Sequence, residues 1–394
     1  MNQFLKRAKE LESQLQADRR YLHQHAEAGE DLPNTTKYVM ERLREIGLNP
    51  IEICPSGVTA LIEGAKPGKV LLLRADMDAL PMPENNDLPF KTETDAAHNC
   101  GHDFHTAMLL CAAQMLYEHR NELCGSVKLM FQPAEETFTG SKKLIAAGIL
   151  ENPKVDAAMA MHVNSGTPSN LVVCGLGTSI GGCNRFRIVV KGTGCHGAMP
   201  ETGVDPIFIA NQIYSAIQEI TNREIVATQP VVITIGKFVG GDAPNIIPGE
   251  VIMEGTIRTL DKEVGEYVFK RMGEIVTATA KMLRGEAELI ELSSVPPLAN
   301  NKDLATEVTG YVKDIVGEQG VFLFEGGGMG SEDFASYSYE VPSLYLILGA
   351  GAKNENPLYG EPMHNTKVVF NEDVLVTGAA IHTYSAITWL KNHK

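Results

Sequence analysis

The chain has 394 residues, a hydrophobic content of 44% and a formal net charge of −15. This length can bury a large core and predicts two domains. The negative charge disfavours binding to nucleic acid or to an anionic membrane surface.

Cysteine usage and hydropathy bear on the compartment. The seven cysteines lack the spacing of a disulfide framework, so we expect reduced thiols and a cytoplasmic protein. No segment contains the roughly 20 consecutive apolar residues that span a bilayer. The charged N-terminal segment also lacks the apolar run of a signal peptide, which favours the same compartment.

Apolar periodicity in the first part of the chain predicts alternating strands and helices. The pattern indicates a helix to about residue 28, a helix over 35–46, strands over 69–75, 126–131 and 155–162, and helices over 106–119 and 141–147. The strands are almost entirely apolar, as strands covered on both faces are. This order predicts an α/β fold with a mostly parallel, doubly wound sheet flanked by helices.

The pattern changes near residue 183. Strands over 184–191, 231–239, 250–260 and 287–292 and helices over 205–221 and 264–283 give the order β-α-β-β-α-β of a ferredoxin-like unit. A strand over 343–349 and a closing helix from about 373 then resume the first pattern. We therefore predict a discontinuous metal-binding catalytic domain, 1–182 and 293–394, with an inserted lid or dimerisation domain over 183–292.

A short segment, Cys100-Gly101-His102-Asp103-Phe104-His105, concentrates side chains that bind metals. Cys100 and His102 point to the same side in an extended segment, and thiolate plus imidazole is a ligand mixture that zinc prefers. The same residues also allow a rival hypothesis, a hydrolase in which Cys100 is the nucleophile and a histidine its base.

Three further segments end strand-like runs with acidic or metal-binding side chains: RADMDALP at 74–81, QPAEE at 132–136 and MH at 161–162. Alone, His162 is typical of a hydrogen-bonded core residue, and a pair of glutamates is typical of a solvated turn. Sites of open α/β sheets assemble at the carboxyl ends of strands, so the repeated occurrence of such side chains at strand ends favours a functional site.

Adjacent Glu135 and Glu136 point opposite ways, which suits one metal ligand and one proton acceptor.

Together with these segments, others further along the chain resemble, in order, the motifs of the N-acyl-amino-acid amidohydrolases. This branch includes hippurate hydrolase and the plant auxin-conjugate hydrolases, within the dinuclear metallopeptidase superfamily of aminoacylase and carboxypeptidase G. The similarity extends from about residue 20 to 390 and rests on RADMDALP, NCGHDFHTA, QPAEE, the isolated His162, GCHGAMPETGVDPI, NIIPGEV, GTIRTL, SEDF and MHNTK.

The resemblance implies a dinuclear centre. It assigns two divalent ions per subunit, zinc or manganese with cobalt or nickel as alternatives, to five ligands: Cys100, His102, Glu136, His162 and His364. It makes Glu135 the general base for a metal-activated water. Spacing alone would leave His364 as a surface histidine in a loop.

The resemblance also assigns residues outside the metal ligands. His196 would polarise the scissile carbonyl, commonly in the active site of a partner subunit, which implies a homodimer or higher homo-oligomer through the inserted domain. Asn245 and Arg258 would bind substrate, Arg258 by a bidentate contact to a free carboxylate. The alternative for Arg258 is an exposed strand arginine paired with a neighbour.

Three residues are expected to support the ligands by hydrogen bonds: Asp76, Asp103 and His105. Asp103 has an alternative role as the N-cap of a helix that begins at Phe104. Arg74 stands where many relatives have a ligand histidine, so no ligand is expected there.

The function that these motifs predict is metal-dependent hydrolysis of the amide bond of N-acyl amino acids. A metallo-dipeptidase or carboxypeptidase acting on small peptides is the alternative, and a non-catalytic small-molecule binding protein is the alternative of another class. The glycines at 175 and 177 and the EGGGMG run at 325–330 suggest a nucleotide-binding module, but neither fits GxGxxG followed by a helix.

Overall fold

A computed structural model describes residues 2–394 of the chain. The residues form two compact units. The larger unit runs to Gly177 and resumes over Ala299–Gly326 and Ser336–Lys394, and the smaller unit comprises Thr178–Leu298 and Gly327–Ala335. No helix within residues 2–394 combines the length and the apolar character needed to cross a membrane.

The elements follow one another in chain order as α1 (Gln3–Glu10), α2 (Glu12–Gln24), α3 (Pro33–Ile46), β1 (Ile51–Cys54), β2 (Gly57–Glu63), β3 (Lys66–Asp76), α4 (His102–Glu118), β4 (Cys124–Gln132), α5 (Gly140–Ala146), β5 (Ala157–Asn164), β6 (Val172–Ile180), β7 (Gly182–Lys191), β8 (Cys195–His196), α6 (Pro206–Glu219), β9 (Val231–Gly240), β10 (Ile246–Ile247), β11 (Glu250–Thr259), α7 (Lys262–Met282), β12 (Glu286–Val295), β13 (Leu298–Asn300), α8 (Lys302–Val316), β14 (Val321–Glu325), α9 (Ala335–Ser338), β15 (Ser343–Gly349) and α10 (Val374–Asn392).

The larger unit is built on a nine-stranded sheet in the order β1-β2-β4-β3-β5-β15-β6-β13, with β14 paired to β6. The pairs β3–β4, β3–β5, β5–β15 and β6–β14 are parallel. Strands β3, from Val70 onward, and β4 are buried almost throughout, because α4 and α10 add their own largely buried side chains to the same core. The predicted α/β class with a large, mostly parallel sheet is confirmed.

The smaller unit contains β7, α6, β9, β11, α7 and β12 in that order along the chain. Its four strands form an antiparallel sheet in the order β12-β7-β11-β9. Alternate residues of β7, including Phe186 and Ile188, are buried together with apolar residues of α6 and α7. One face of the sheet therefore carries both helices and the core of this unit.

Three local predictions were wrong or incomplete. The opening helix is two helices that part at Leu11 and end at Gln24; Ala8, Leu15 and Leu22 are buried on both sides of the break, so the apolar spacing reads as one helix. The edge hairpin β1–β2 was missed because β1 is short and largely exposed, without an apolar run. Asp103 is not an N-cap, since α4 begins at His102 and Gly101 is its N-cap.

Candidate metal centre

The candidate ligands lie on the larger unit, after or near the carboxyl ends of neighbouring strands. Glu135 and Glu136 follow β4, and His162 lies near the end of β5. His102 is the first residue of α4, and Cys100 lies just before that helix. Because parallel strands end at the same edge of a sheet, these residues meet there.

Cys100 belongs to two groups of potential ligands. In the first, the ligand atoms of Cys100, His102 and His162 all lie within 4.8 Å of one another. In the second, those of Cys100, Glu136 and His364 do the same. We call these groups triad A and triad B. All five predicted ligands are thus brought together as two triads that share one thiol, and their thiolate, imidazole and carboxylate groups could hold two divalent ions.

The imidazoles of triad A have their tautomers fixed by backbone carbonyls. Nδ1 of His102 donates to the carbonyl oxygen of Asp78 over 2.7 Å, and Nδ1 of His162 donates to that of Val163 over 2.5 Å. In the neutral form of each ring the lone pair is therefore on Nε2. In His162, Nε2 lies 3.4 Å from Sγ of Cys100.

Nε2 of His102 is a buried nitrogen that makes no hydrogen bond within residues 2–394. An unpaired buried acceptor is costly in free energy unless a ligand satisfies it. A histidine that donates from one ring nitrogen to a carbonyl and offers the other to a metal is the usual arrangement in metal sites. The donor set of the two triads therefore fits a divalent ion.

Triad B is formed around a residue with unusual backbone geometry. His364 has φ of 63°, in the left-handed region, and its N–H donates to the carbonyl oxygen of Asn99 over 3.0 Å. Such conformations in residues other than glycine cost free energy and concentrate at functional sites. Nε2 of His364 lies 3.3 Å from Oε1 of Glu136.

Asp78 organises both triads and was missed by the sequence interpretation. Its buried carboxylate accepts the backbone N–H of Glu135 over 3.0 Å and that of Glu136 over 3.1 Å. Its carbonyl oxygen also holds His102, as described above. The only signal in the sequence is the second aspartate of RADMDALP, beside Asp76.

Asp76 and His105 form a hydrogen-bonded pair beneath triad A. Nδ1 of His105 donates to Asp76, and Nε2 of His105 accepts the backbone N–H of Val163 over 2.9 Å. Both nitrogens of His105 are thereby occupied, although Asp76, His102 and His105 also lie close enough to form a metal-binding group. This pair joins β3 to the strand that carries His162.

The Arg74 guanidinium fixes the charge of Asp76. Nη1 of Arg74 donates to Oδ2 of Asp76 over 2.6 Å, and both side chains are buried. Burial alone would favour the neutral acid, but Arg74, His102 and His105 hold the pKa of Asp76 well below its ordinary value.

Asp103 ties the first turn of α4 to α2. Its carboxylate lies 2.9 Å from Nε of Arg19 and accepts from Nδ1 of His23 over 2.8 Å. Burial opposes ionisation, yet Arg19 and His23 hold the pKa of Asp103 well below its usual range. The carboxylate therefore stabilises the turn that presents His102 and does not point to a ligand role of its own.

The titration behaviour of the triads favours metal binding over a cysteine nucleophile. Burial, followed by the charge of Glu136, raises the pKa of the Cys100 thiol. Nucleophilic cysteines need a lowered pKa. Hydrogen bonds to Cys100 and Glu136 raise the pKa of His364 to about 10, so without an ion triad B holds protons that an ion displaces.

The remaining predicted residues belong to the smaller unit. His196 on β8 is exposed, its Nδ1 accepts the N–H of Ala198 over 3.0 Å, and it pairs with Ile246 next to Asn245. Nη1 of Arg258 on β11 donates to the carbonyl oxygen of Met329 and to Oγ of Ser331, each over 2.8 Å.

Comparison with known proteins gives the family. The sequence profile described as Peptidase family M20/M25/M40 matches residues 72–387. The chain is 36% identical over 384 residues to thermostable carboxypeptidase 1 of Saccharolobus solfataricus, covering 96% of each protein. It is 35% identical over 351 residues to N-acetyl-L-cysteine deacetylase of Bacillus subtilis, covering 88% of this chain and 82% of that one.

A solved structure has the same fold. The Bacillus subtilis YXEP protein, described as a dinuclear metal binding peptidase from the M20 family, superposes with a TM-score of 0.79 at 30% identity, covering 97% of this chain and 99% of that one. Two divalent ions are therefore the cofactors that the two triads suit. The chain belongs to peptidase family M20/M25/M40 and is a metal-dependent hydrolase of amide bonds.

Proposed function

We propose that the protein hydrolyses the amide bond of N-acyl amino acids and that Glu135 is the general base. One observation carries the assignment of the base. Glu135 and Glu136 are held by the same carboxylate, yet only Glu136 belongs to triad B, while both lie within 4.8 Å of His102 at their ligand atoms. The two glutamates are therefore suited to different roles at one centre.

Five residues hold the ions in this proposal: Cys100, His102 and His162 in triad A, and Cys100, Glu136 and His364 in triad B. A divalent ion at such a centre supplies a Lewis acid that acidifies water and polarises a carbonyl. Zinc is favoured by thiolate and imidazole ligands, manganese by the carboxylate, and cobalt or nickel are alternatives.

Glu135 moves the proton of the reaction. Its Oε2 lies 4.0 Å from Nε2 of His102, the nitrogen that would bind an ion. As a carboxylate it accepts a proton from the attacking water, and as a carboxylic acid it delivers that proton to the leaving amine. The backbone contacts to Asp78 hold it in place for both steps.

His196 is proposed to polarise the scissile carbonyl. Because Nδ1 accepts from Ala198, the neutral ring carries its proton on Nε2. That N–H is a donor suited to the developing oxyanion. We assign its side chain to the active site of a partner subunit, so that a homodimer or higher homo-oligomer is required for activity.

The smaller unit is proposed as the lid and dimerisation domain, and the larger unit as the catalytic domain. Exposed apolar side chains on α6 and on the edge strand β9 support an interface there: Ile207, Phe208, Tyr214, Val232, Phe238 and Val239. We place the enzyme in the cytoplasm, because all seven cysteines are free thiols.

Substrate recognition is assigned to Arg258 and Asn245. Arg258 forms no ion pair with any carboxylate within residues 2–394, and its hydrogen bonds there are those of Nη1 to the neutral groups of Met329 and Ser331. A guanidinium without a carboxylate partner, on a half-buried strand, suits the carboxylate of an amino acid.

A carboxypeptidase or dipeptidase acting on small peptides is the second candidate. It is favoured by the similarity to a protein named a carboxypeptidase, and the same base, ligands and arginine would serve it. A non-catalytic binding protein is no longer an alternative for a member of this family.

Substrate class is tested with the metal-loaded protein and a panel of N-acetyl amino acids, N-benzoyl amino acids and unblocked dipeptides. We expect the acylated amino acids to have the highest kcat/KM. Higher kcat/KM for the dipeptides would replace this proposal with the peptidase. Loss of all activity after treatment with a chelator, and its return with zinc or manganese, is expected in both cases.

A further inference from the structure

A glycine-rich segment of the smaller unit, Gly327–Gly330, has no role in the reaction described so far. It lies beside the end of β6. The N–H of Gly181 donates to the carbonyl oxygen of Gly328 over 2.8 Å, and the N–H of Gly328 donates to that of Ser179 over 3.2 Å. The segment is therefore fixed by a short parallel pairing.

Close packing explains the glycines. A Cβ at Gly327 would lie 2.9 Å from Cδ2 of Leu260 and 3.1 Å from the carbonyl carbon of Ser179. A Cβ at Gly181 would lie 3.2 Å from the carbonyl oxygen of Gly330. The lack of side chains lets the segment lie directly against its neighbours, next to the strand that carries Arg258.

The segment ends at the two groups that hold the Arg258 side chain. The carbonyl oxygen of Met329 and Oγ of Ser331 both accept from Nη1 of Arg258. Nε and Nη2 have no hydrogen-bond partner within residues 2–394. Because both partners are neutral, the charge is uncompensated, and the edge formed by Nε and Nη2 is the edge that binds a carboxylate with two parallel hydrogen bonds.

We propose that Ser331 is a specificity-determining positioning residue for substrates with a free carboxylate. Its hydroxyl and the carbonyl oxygen of Met329 fix the plane of the Arg258 guanidinium, so that the free edge faces the ligand. Without the hydroxyl of Ser331, the carbonyl oxygen of Met329 is the one remaining acceptor. The guanidinium can then rotate about its bond to the rest of the Arg258 side chain. The inference rests on the proposed role of Arg258 in carboxylate binding.

The Ser331→Ala variant is tested with N-acetyl-L-methionine and with N-acetyl-L-methioninamide, which lacks the free carboxylate. For the acid, we expect KM to rise about tenfold, as for loss of one hydrogen bond to a charged group, and kcat to stay unchanged. For the amide, both constants should stay at their wild-type values. The Ser331→Thr variant keeps the hydroxyl and should therefore have the wild-type KM for the acid.

Two results would overturn the role of Ser331. One is an unchanged KM for the acid, and the other is an equal loss for acid and amide, which indicates a structural role. The Arg258→Ala variant separates this inference from the function on which it rests. If Arg258→Ala removes the preference for the acid and Ser331→Ala does not, only Ser331 is misassigned. If neither changes the preference, carboxylate recognition by Arg258 is wrong as well.

Discussion

The carboxylate of Asp78 accepts the backbone N–H of Glu135 over 3.0 Å. It also accepts the N–H of Glu136, and the carbonyl oxygen of Asp78 accepts from Nδ1 of His102. One buried residue therefore fixes a member of each triad and the proposed base. A substitution of Asp78 is therefore expected to affect both metal binding and turnover.

We expect the Asp78→Asn variant to bind metal about 10- to 100-fold more weakly than wild type, since groups that orient ligands contribute on this scale. An amide nitrogen in place of one carboxylate oxygen would face a backbone N–H, and the turn of Glu135 would shift. Metal affinity is measured by competition with a chelator. Asp87→Asn, at an exposed position, is the control. Unchanged affinity in Asp78→Asn would contradict the account.

The shared thiol predicts a pattern of metal content. Wild type should hold about two ions per chain, His364→Ala about one, and Cys100→Ala few or none, because Cys100 serves both triads. Elemental analysis of dialysed protein measures the content. An equal loss of metal in His364→Ala and Cys100→Ala would show that the two sites do not fill independently. Full metal content in Cys100→Ala would contradict a ligand role for Cys100 in both triads.

Metal affinity should rise with pH. The pKa of His364 is raised to about 10 by hydrogen bonds to Cys100 and Glu136, and burial raises the pKa of Cys100. Both groups hold protons near neutral pH, and each proton released on binding contributes up to about tenfold in apparent affinity per pH unit. Chelator competition at several values between pH 6 and 8 measures the slope. A metal affinity that does not change with pH would mean that neither His364 nor Cys100 is a ligand.

The raised pKa of His364 makes the stability of the metal-free protein fall as the pH rises, whereas metal affinity rises with pH. A folded-state pKa above the unfolded value of 6.5 means that protonated His364 stabilises the folded state. This contribution is complete below pH 6.5 and is lost as the pH rises toward 10. Thermal unfolding of metal-free wild type and of His364→Ala should therefore differ most at low pH and converge at high pH.

Asp103→Asn should lower the free energy of unfolding by about 3 kcal/mol, because removal of one partner leaves the buried guanidinium of Arg19 without its closest carboxylate. Urea unfolding of the metal-free protein measures the change. Glu45→Gln, which removes an exposed partner of Arg42, is the matched control and should cost about 0–1 kcal/mol. Similar values for the two variants would contradict a structural role for the Asp103 network.

Much of the fold was predictable because buried parallel strands are apolar throughout. The run over 69–75 predicts β3, and the alternation with helices predicts a mostly parallel sheet. The edge hairpin of β1 and β2 was missed, because β1 is short and largely exposed. The family prediction is confirmed, since the family profile matches residues 72–387.

Fewer residues of the candidate site than of the fold could be predicted from the sequence. Cys100 and His102 stand close together in sequence and signal a metal on their own. His364 lies far along the chain in a segment without regular structure and with a left-handed backbone, so only the resemblance pointed to it. Asp78 acts through backbone amides of another segment, and no spacing rule reports such a contact.

The central claim is that Glu135 performs proton transfer at a dinuclear centre that it does not help to form. Glu135→Gln keeps the shape of the side chain and removes its basicity. Metal content and kcat for an N-acyl amino acid are measured on the same preparation. We expect about two ions per chain and a kcat lowered by a factor of about 10² to 10⁴. Full metal content with undiminished kcat would contradict the claim.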